Sequence, residues 1–185
     1  MRHENTLAPG QSALVIIDVQ ESFRAAIPDF DGLAARIAVA ARGAQLLSVP
    51  VVVTEQYPKG LGRTAAEIGA ALPEGFEPVE KTAFSSCGAR EFVARLEAAG
   101  ARQILVCGIE AHVCVNQTTH DLLARGFQVL LLTDCVSSRT EQNRRAGLDK
   151  MLRSGALPST VELALFELMR DARHEQFKAV QKLIK

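Results

Sequence analysis

Short, almost unbroken apolar runs alternate along the chain with longer segments whose apolar residues recur every three or four positions. The runs are Ala13–Asp18 (ALVIID), Val49–Thr54 (VPVVVT), Gln103–Cys107 (QILVC) and Phe127–Thr133 (FQVLLLT). Each has the length of a strand and lacks polar alternation, which predicts strands buried on both faces of a parallel sheet. Phe76–Lys81 (FEPVEK) is a weaker strand candidate. Helices are predicted over Gly32–Leu47, Ala89–Ala99, Val115–Arg125, Thr140–Arg153 and Val161–Ile184, the last with a break near Arg173 and His174. Gly100 and Gly126 stop two of them in the usual way. Glu55–Gly75, with YPKGLGRT and LPEG, reads as loop with room for one short helix. Strands alternating with helices imply right-handed parallel crossovers, so the expected fold is α/β: a Rossmann-like three-layer α/β/α sandwich on a mostly parallel sheet. With 185 residues and no repeat, low-complexity tract or linker, one domain over residues 1–185 is expected.

Composition removes several function classes. Lys plus Arg and Asp plus Glu are 21 each, with no basic tail or stripe, so nucleic acid is not an expected partner. The longest apolar runs, Leu14–Ile17 and Val129–Leu132, fall far short of the roughly 18 residues of a membrane helix, so no membrane association is expected. The opening MRHENTLAPGQS has no apolar signal-peptide core, which points to the reducing cytoplasm and to free thiols. Cys87, Cys107, Cys114 and Cys135 form no C-x-x-C pair, so neither a zinc knuckle nor a redox dithiol is indicated, and no cofactor is expected.

Open parallel sheets bind ligands beyond the carboxyl ends of their strands. Three reactive side chains stand at such ends: Asp18 closes the first strand, Lys81 the third, and Cys114 lies between QILVCGI and the helix that follows. A thiol at a helix N-terminus meets free N–H groups and the positive end of the helix dipole, which favour the thiolate and could hold an oxyanion. The bland alternative is a small buried thiol, as Cys107 and Cys135 would be. Asp18 could be a general base with Lys81 balancing its charge, or the two could form a salt bridge that caps two strand ends. Cys87, just beyond Lys81 in FSSCG, is the competing thiol.

Taken together, IIDVQESF around Asp18, VEKTAFSS around Lys81 and CGIEAHVCVNQTTHDLLARGFQVLLLTDCVSSR around Cys114 resemble the isochorismatase-like cysteine hydrolase superfamily. The resemblance is strongest to its isochorismatase-domain-containing proteins, and TEQYPKGLGRT and LFELMRDARHEQFKAVQKLI extend it over almost the whole chain. It implies an Asp18–Lys81–Cys114 triad, a non-proline cis peptide at Ile109–Glu110, and an oxyanion hole from the amides of Glu110 and Cys114. It also implies hydrolysis of an amide-like C–N bond of a small molecule through a thioester. Nicotinamidases resemble the chain at the triad but carry an Asp and several His residues as a metal site after the second strand; TEQYPKGLGRT has no histidine, so the expected chemistry is metal-independent. Isochorismatase proper lacks the thiol, and Cys114 argues against its vinyl-ether reaction.

Phe23, Gln56, Tyr57, Phe84 and His112 flank the strand-end motifs and are the expected substrate-binding residues, with ordinary core packing the alternative for the aromatics and a surface or hydrogen-bonded role the alternative for His112. The family resemblance also implies a homo-oligomer; the apolar stripe of Val161–Met169 could be core or interface. Two other classes stay open: a catalytically silent oligomeric interaction or redox-sensing protein on the same fold, and a flavodoxin-like cofactor binder. The second has against it that VQESF, not a Gly- or Ser/Thr-rich phosphate loop, follows the first strand.

Overall fold

The computed structural model describes residues 3–185. Its elements in chain order are β1 (Ser12–Ile17), α1 (Phe30–Leu46), β2 (Val51–Gln56), α2 (Pro58–Leu61), α3 (Ala66–Gly69), β3 (Val79–Lys81), α4 (Arg90–Ala98), β4 (Gln103–Gly108), α5 (Asn116–Ala124), β5 (Gln128–Val136), α6 (Glu141–Arg153), β6 (Leu157–Ser159), α7 (Val161–Met169) and α8 (Phe177–Leu183). The six strands form one sheet in the order β3-β2-β1-β4-β5-β6, and every pairing is parallel.

Every residue of β1 and of β4 is buried, as continuous apolar runs require when helices cover both faces. Alternate side chains of β1 divide between the faces: Leu14 and Ile16 join α1, α3, α7 and α8 in one core, while Ala13, Val15 and Ile17 join α4, α5 and α6 in the other. This is the three-layer α/β/α sandwich. Thr140 and Thr160 begin α6 and α7 by accepting from the N–H groups of Asn143 and Leu163.

Several boundaries differ from the pattern-based expectation. β2 starts two residues late, because the Val49 N–H still bonds to Ala44 O at the end of α1. β5 runs on to Val136, with an irregular register opposite Gly108. β3 has three residues, and the stretch expected to be loop holds two short helices, α2 and α3. Arg170 in a left-handed conformation (φ 67) ends α7, so the break before α8 begins three residues ahead of Arg173. β6 escapes the sequence pattern altogether: it is a three-residue edge strand containing Pro158, and proline is tolerated only at such edges.

The chain runs outward from β1 to β3, then crosses back to β4 and runs outward again to β6. The crevice at this reversal lies between the carboxyl ends of β1 and β4. Gly108, the last residue of β4, lets the two strands approach there: its φ is 120, and a Cβ would lie 2.1 Å from the Ile17 carbonyl oxygen. Gly108→Ala should therefore lower stability by about 3 kcal/mol, read as a fall in the urea midpoint at unchanged slope.

Candidate active site

Asp18 is the first residue beyond β1 and takes a left-handed conformation (φ 53) that non-glycine residues seldom adopt. Its N–H donates to Thr54 O (3.2 Å) and its carbonyl accepts from the Gln20 N–H (2.9 Å), which turns the chain away and leaves the carboxylate at the sheet's end. One carboxylate oxygen accepts from Thr54 Oγ1 and the other from Lys81 Nζ, both at 2.6 Å. Lys81 reaches Asp18 from two strands away, over β2. Its ammonium also donates to Gln56 Oε1 (2.8 Å), Phe84 O (3.1 Å) and Ala83 O (3.2 Å). Both charges are buried, and a buried pair is tolerable only when further hydrogen bonds satisfy it, as these do.

Beyond Gly108 the Ile109–Glu110 peptide is cis, and a π-helical turn, Ala111–Val115, leads into α5. Such turns recur at functional sites. The N–H groups of Val113 and Val115 both donate to Glu110 O (3.0 and 3.2 Å), whereas that of Cys114 between them does not. Among the described residues, the Glu110 N–H has no acceptor.

Cys114 is 7% exposed. Its thiol is pushed up to about 12, chiefly by burial and further by the adjacent Asp18 carboxylate, with Lys81 opposing. At this depth desolvation outweighs the helix N-terminus, which by itself would favour the thiolate. Burial also raises Cys87, and raises Cys107 and Cys135 beyond the usual thiol range.

A cavity of about 280 Å³ is lined by Asp18, Phe23, Gln56, Leu61, Phe84, Ile109, Glu110, Val113, Cys114 and Arg139. Three of the five expected substrate-binding residues, Phe23, Gln56 and Phe84, line it, and Phe84 is 54% exposed at its rim. The other two do not. Tyr57 lines a separate hollow of about 420 Å³ together with Lys59, Glu80 and Lys81. His112 points its Nδ1 at Ser138 Oγ (3.1 Å), and Cys87 lines neither space.

Sequence reasoning missed Thr54 and Arg139. Thr54 faces Ile17 across the parallel β1–β2 register, which puts its hydroxyl beside the residue after Ile17. Arg139 is 59% exposed and holds the buried Glu110 carboxylate through its N–H (2.9 Å) and Nε (3.1 Å). Its position three residues beyond β5, at a strand's carboxyl end, was the available signal. Among the described residues no group of three or more His, Cys, Asp and Glu is placed to hold a metal ion. Glu55, near the end of β2, is committed to Thr64 and Arg63. No described helix is long and apolar enough to cross a membrane.

This chain is 46% identical over 179 residues to isochorismatase domain-containing protein 2 of Macaca fascicularis, covering 96% of the chain and 84% of the relative. The Homo sapiens protein of that name is 45% identical with the same coverage. A solved structure of the MAR1 ribonuclease from Caenorhabditis elegans superposes with a TM-score of 0.92 at 39% identity, covering 97% of this chain and 92% of that one. The family model for the isochorismatase domain matches residues 12–162, which is the sheet from the start of β1 to just past β6 with both strand ends that carry Asp18 and Cys114; this chain belongs to the isochorismatase family.

Proposed function

We propose that the protein is a metal-independent cysteine hydrolase that cleaves an amide-like C–N bond of a small molecule, with Cys114 as nucleophile, Asp18 as base and Lys81 as electrostatic support. One observation carries the reading: Cys114 and the Lys81-paired Asp18 wall the same small cavity, beside a Glu110 N–H that has no acceptor among the described residues. Family membership supports the coarser statement, a hydrolase-type function.

Burial favours the protonated thiol at rest, so Asp18 must take its proton for sulfur to attack. The thiol proton passes to Asp18 as sulfur bonds to the carbonyl carbon, and the N–H groups of Glu110 and Cys114 receive the oxyanion. On collapse Asp18 returns the proton to the nitrogen, the C–N bond breaks, and ammonia or an amine leaves a thioester on Cys114. Asp18 then deprotonates a water, which attacks the thioester and frees the thiol and an acid. Lys81 holds the Asp18 carboxylate in place between turnovers.

The experiment is ammonia release from a panel of small primary amides and carbamoyl compounds. Turnover of at least one, unchanged by chelator, is the expected result; turnover of none, or activity restored only by added metal, contradicts the reading. The description of the C. elegans neighbour raises a second reading, RNA cleavage. A buried carboxylate at the foot of a small cavity, on a chain of zero formal charge, favours the small substrate. RNA cleavage retained by Cys114→Ala, with no amide turned over, would favour the other.

A further inference from the structure

Four contacts run from one stretch of chain to three consecutive residues of the turn that carries Cys114. Ser137 O accepts from the Ala111 N–H at 2.8 Å. Ser138 Oγ pairs with His112 Nδ1 at 3.1 Å. Arg139 donates its N–H (2.9 Å) and Nε (3.1 Å) to the Glu110 carboxylate. Gly147, on α6, has no side chain where the turn's backbone presses on it: a Cβ there would lie 2.6 Å from Ala111 O and 2.9 Å from His112 N.

From this geometry we infer that residues 137–147 are a positioning frame for the Glu110 N–H, and that Arg139 and Gly147 are positioning residues for acyl transfer at Cys114. The inference rests on the nucleophile and oxyanion roles proposed above. The frame grips the Glu110 side chain and the peptide units that follow that N–H, where a small shift misaims a donor that must meet the developing oxyanion at hydrogen-bond distance. Packing alone gives no reason for the charged pair, because an apolar residue fills buried space at lower desolvation cost than Glu110 with Arg139. The pair fixes Glu110 from both of its carboxylate oxygens, and the missing Cβ lets α6 back the turn without displacing it.

The test compares two reactions of the same thiol in the full chain. Acetylation of Cys114 by p-nitrophenyl acetate builds an oxyanion; alkylation by iodoacetamide does not. Gly147→Ala should slow acetylation by about tenfold or more and leave alkylation within about twofold, and Gly10→Ala, whose Cβ meets nothing within 4 Å, should change neither. Acetylation at the wild-type rate, or an equal fall in both reactions, overturns the positioning role. Arg139→Gln should give the same split and serves if Gly147→Ala does not fold; equal changes in both reactions there overturn it too. A wild-type protein that takes no acetyl group on Cys114 overturns the nucleophile reading beneath it, an outcome distinct from the others.

Discussion

Cys114→Ala should lower kcat on any amide the protein turns over by on the order of 10⁴-fold or more, because removing a covalent nucleophile leaves only binding and oxyanion contacts. The folded state should barely change. Replacing a mostly buried thiol by a methyl group removes one heavy atom and no hydrogen bond of the ion-pair network, so a loss of about 1 kcal/mol in a denaturation curve is the expected scale. Steady-state kinetics and a urea titration on one preparation check both halves. Activity within tenfold of wild type would mean that sulfur does not attack.

Asp18→Asn should act on three observables, not all in one direction. It leaves the Lys81 ammonium buried without its counter-charge, and breaking a buried pair this way costs about 3–5 kcal/mol of stability. It removes the base, for which a fall of about 10²- to 10⁴-fold in kcat is expected. It also removes a negative charge that now raises the Cys114 thiol while leaving Lys81, which lowers it, so the thiol should ionise at lower pH than the wild-type value of about 12. The variant therefore holds more thiolate at neutral pH and turns over less substrate. The rate of iodoacetamide labelling at Cys114 against pH reads the first, amide turnover the second. A labelling profile unmoved or shifted to higher pH would show that Asp18 does not act on the thiol.

Much of this arrangement was legible in the sequence. Buried strands announce themselves as apolar runs, and Asp18 and Lys81 at two strand ends, with Cys114 in the turn after a third, stand where the topological rule for parallel sheets lets side chains converge. What was not legible depends on register and depth. Thr54 is an ordinary strand residue until the β1–β2 pairing places it beside Asp18. Tyr57 and His112 are near the motifs in sequence, yet the left-handed turn at Tyr57 (φ 38) and the Ser138 contact of His112 set them outside the cavity. The rise of the thiol was not legible because a linear pattern reports a helix N-terminus but not how much water reaches it. β6 was missed because three residues around a proline carry no periodicity.

The proposed mechanism requires a covalent bond between Cys114 and the acyl part of the substrate. Intact-mass spectrometry of protein acid-quenched during turnover of an amide tests it most directly. The expected result is an added mass equal to the acyl group, mapped by peptide digestion to Cys114, lost with time as the thioester hydrolyses and missing in Cys114→Ala. Turnover with no adduct in wild type or in Asp18→Asn, or an adduct mapped to Cys87, would contradict it.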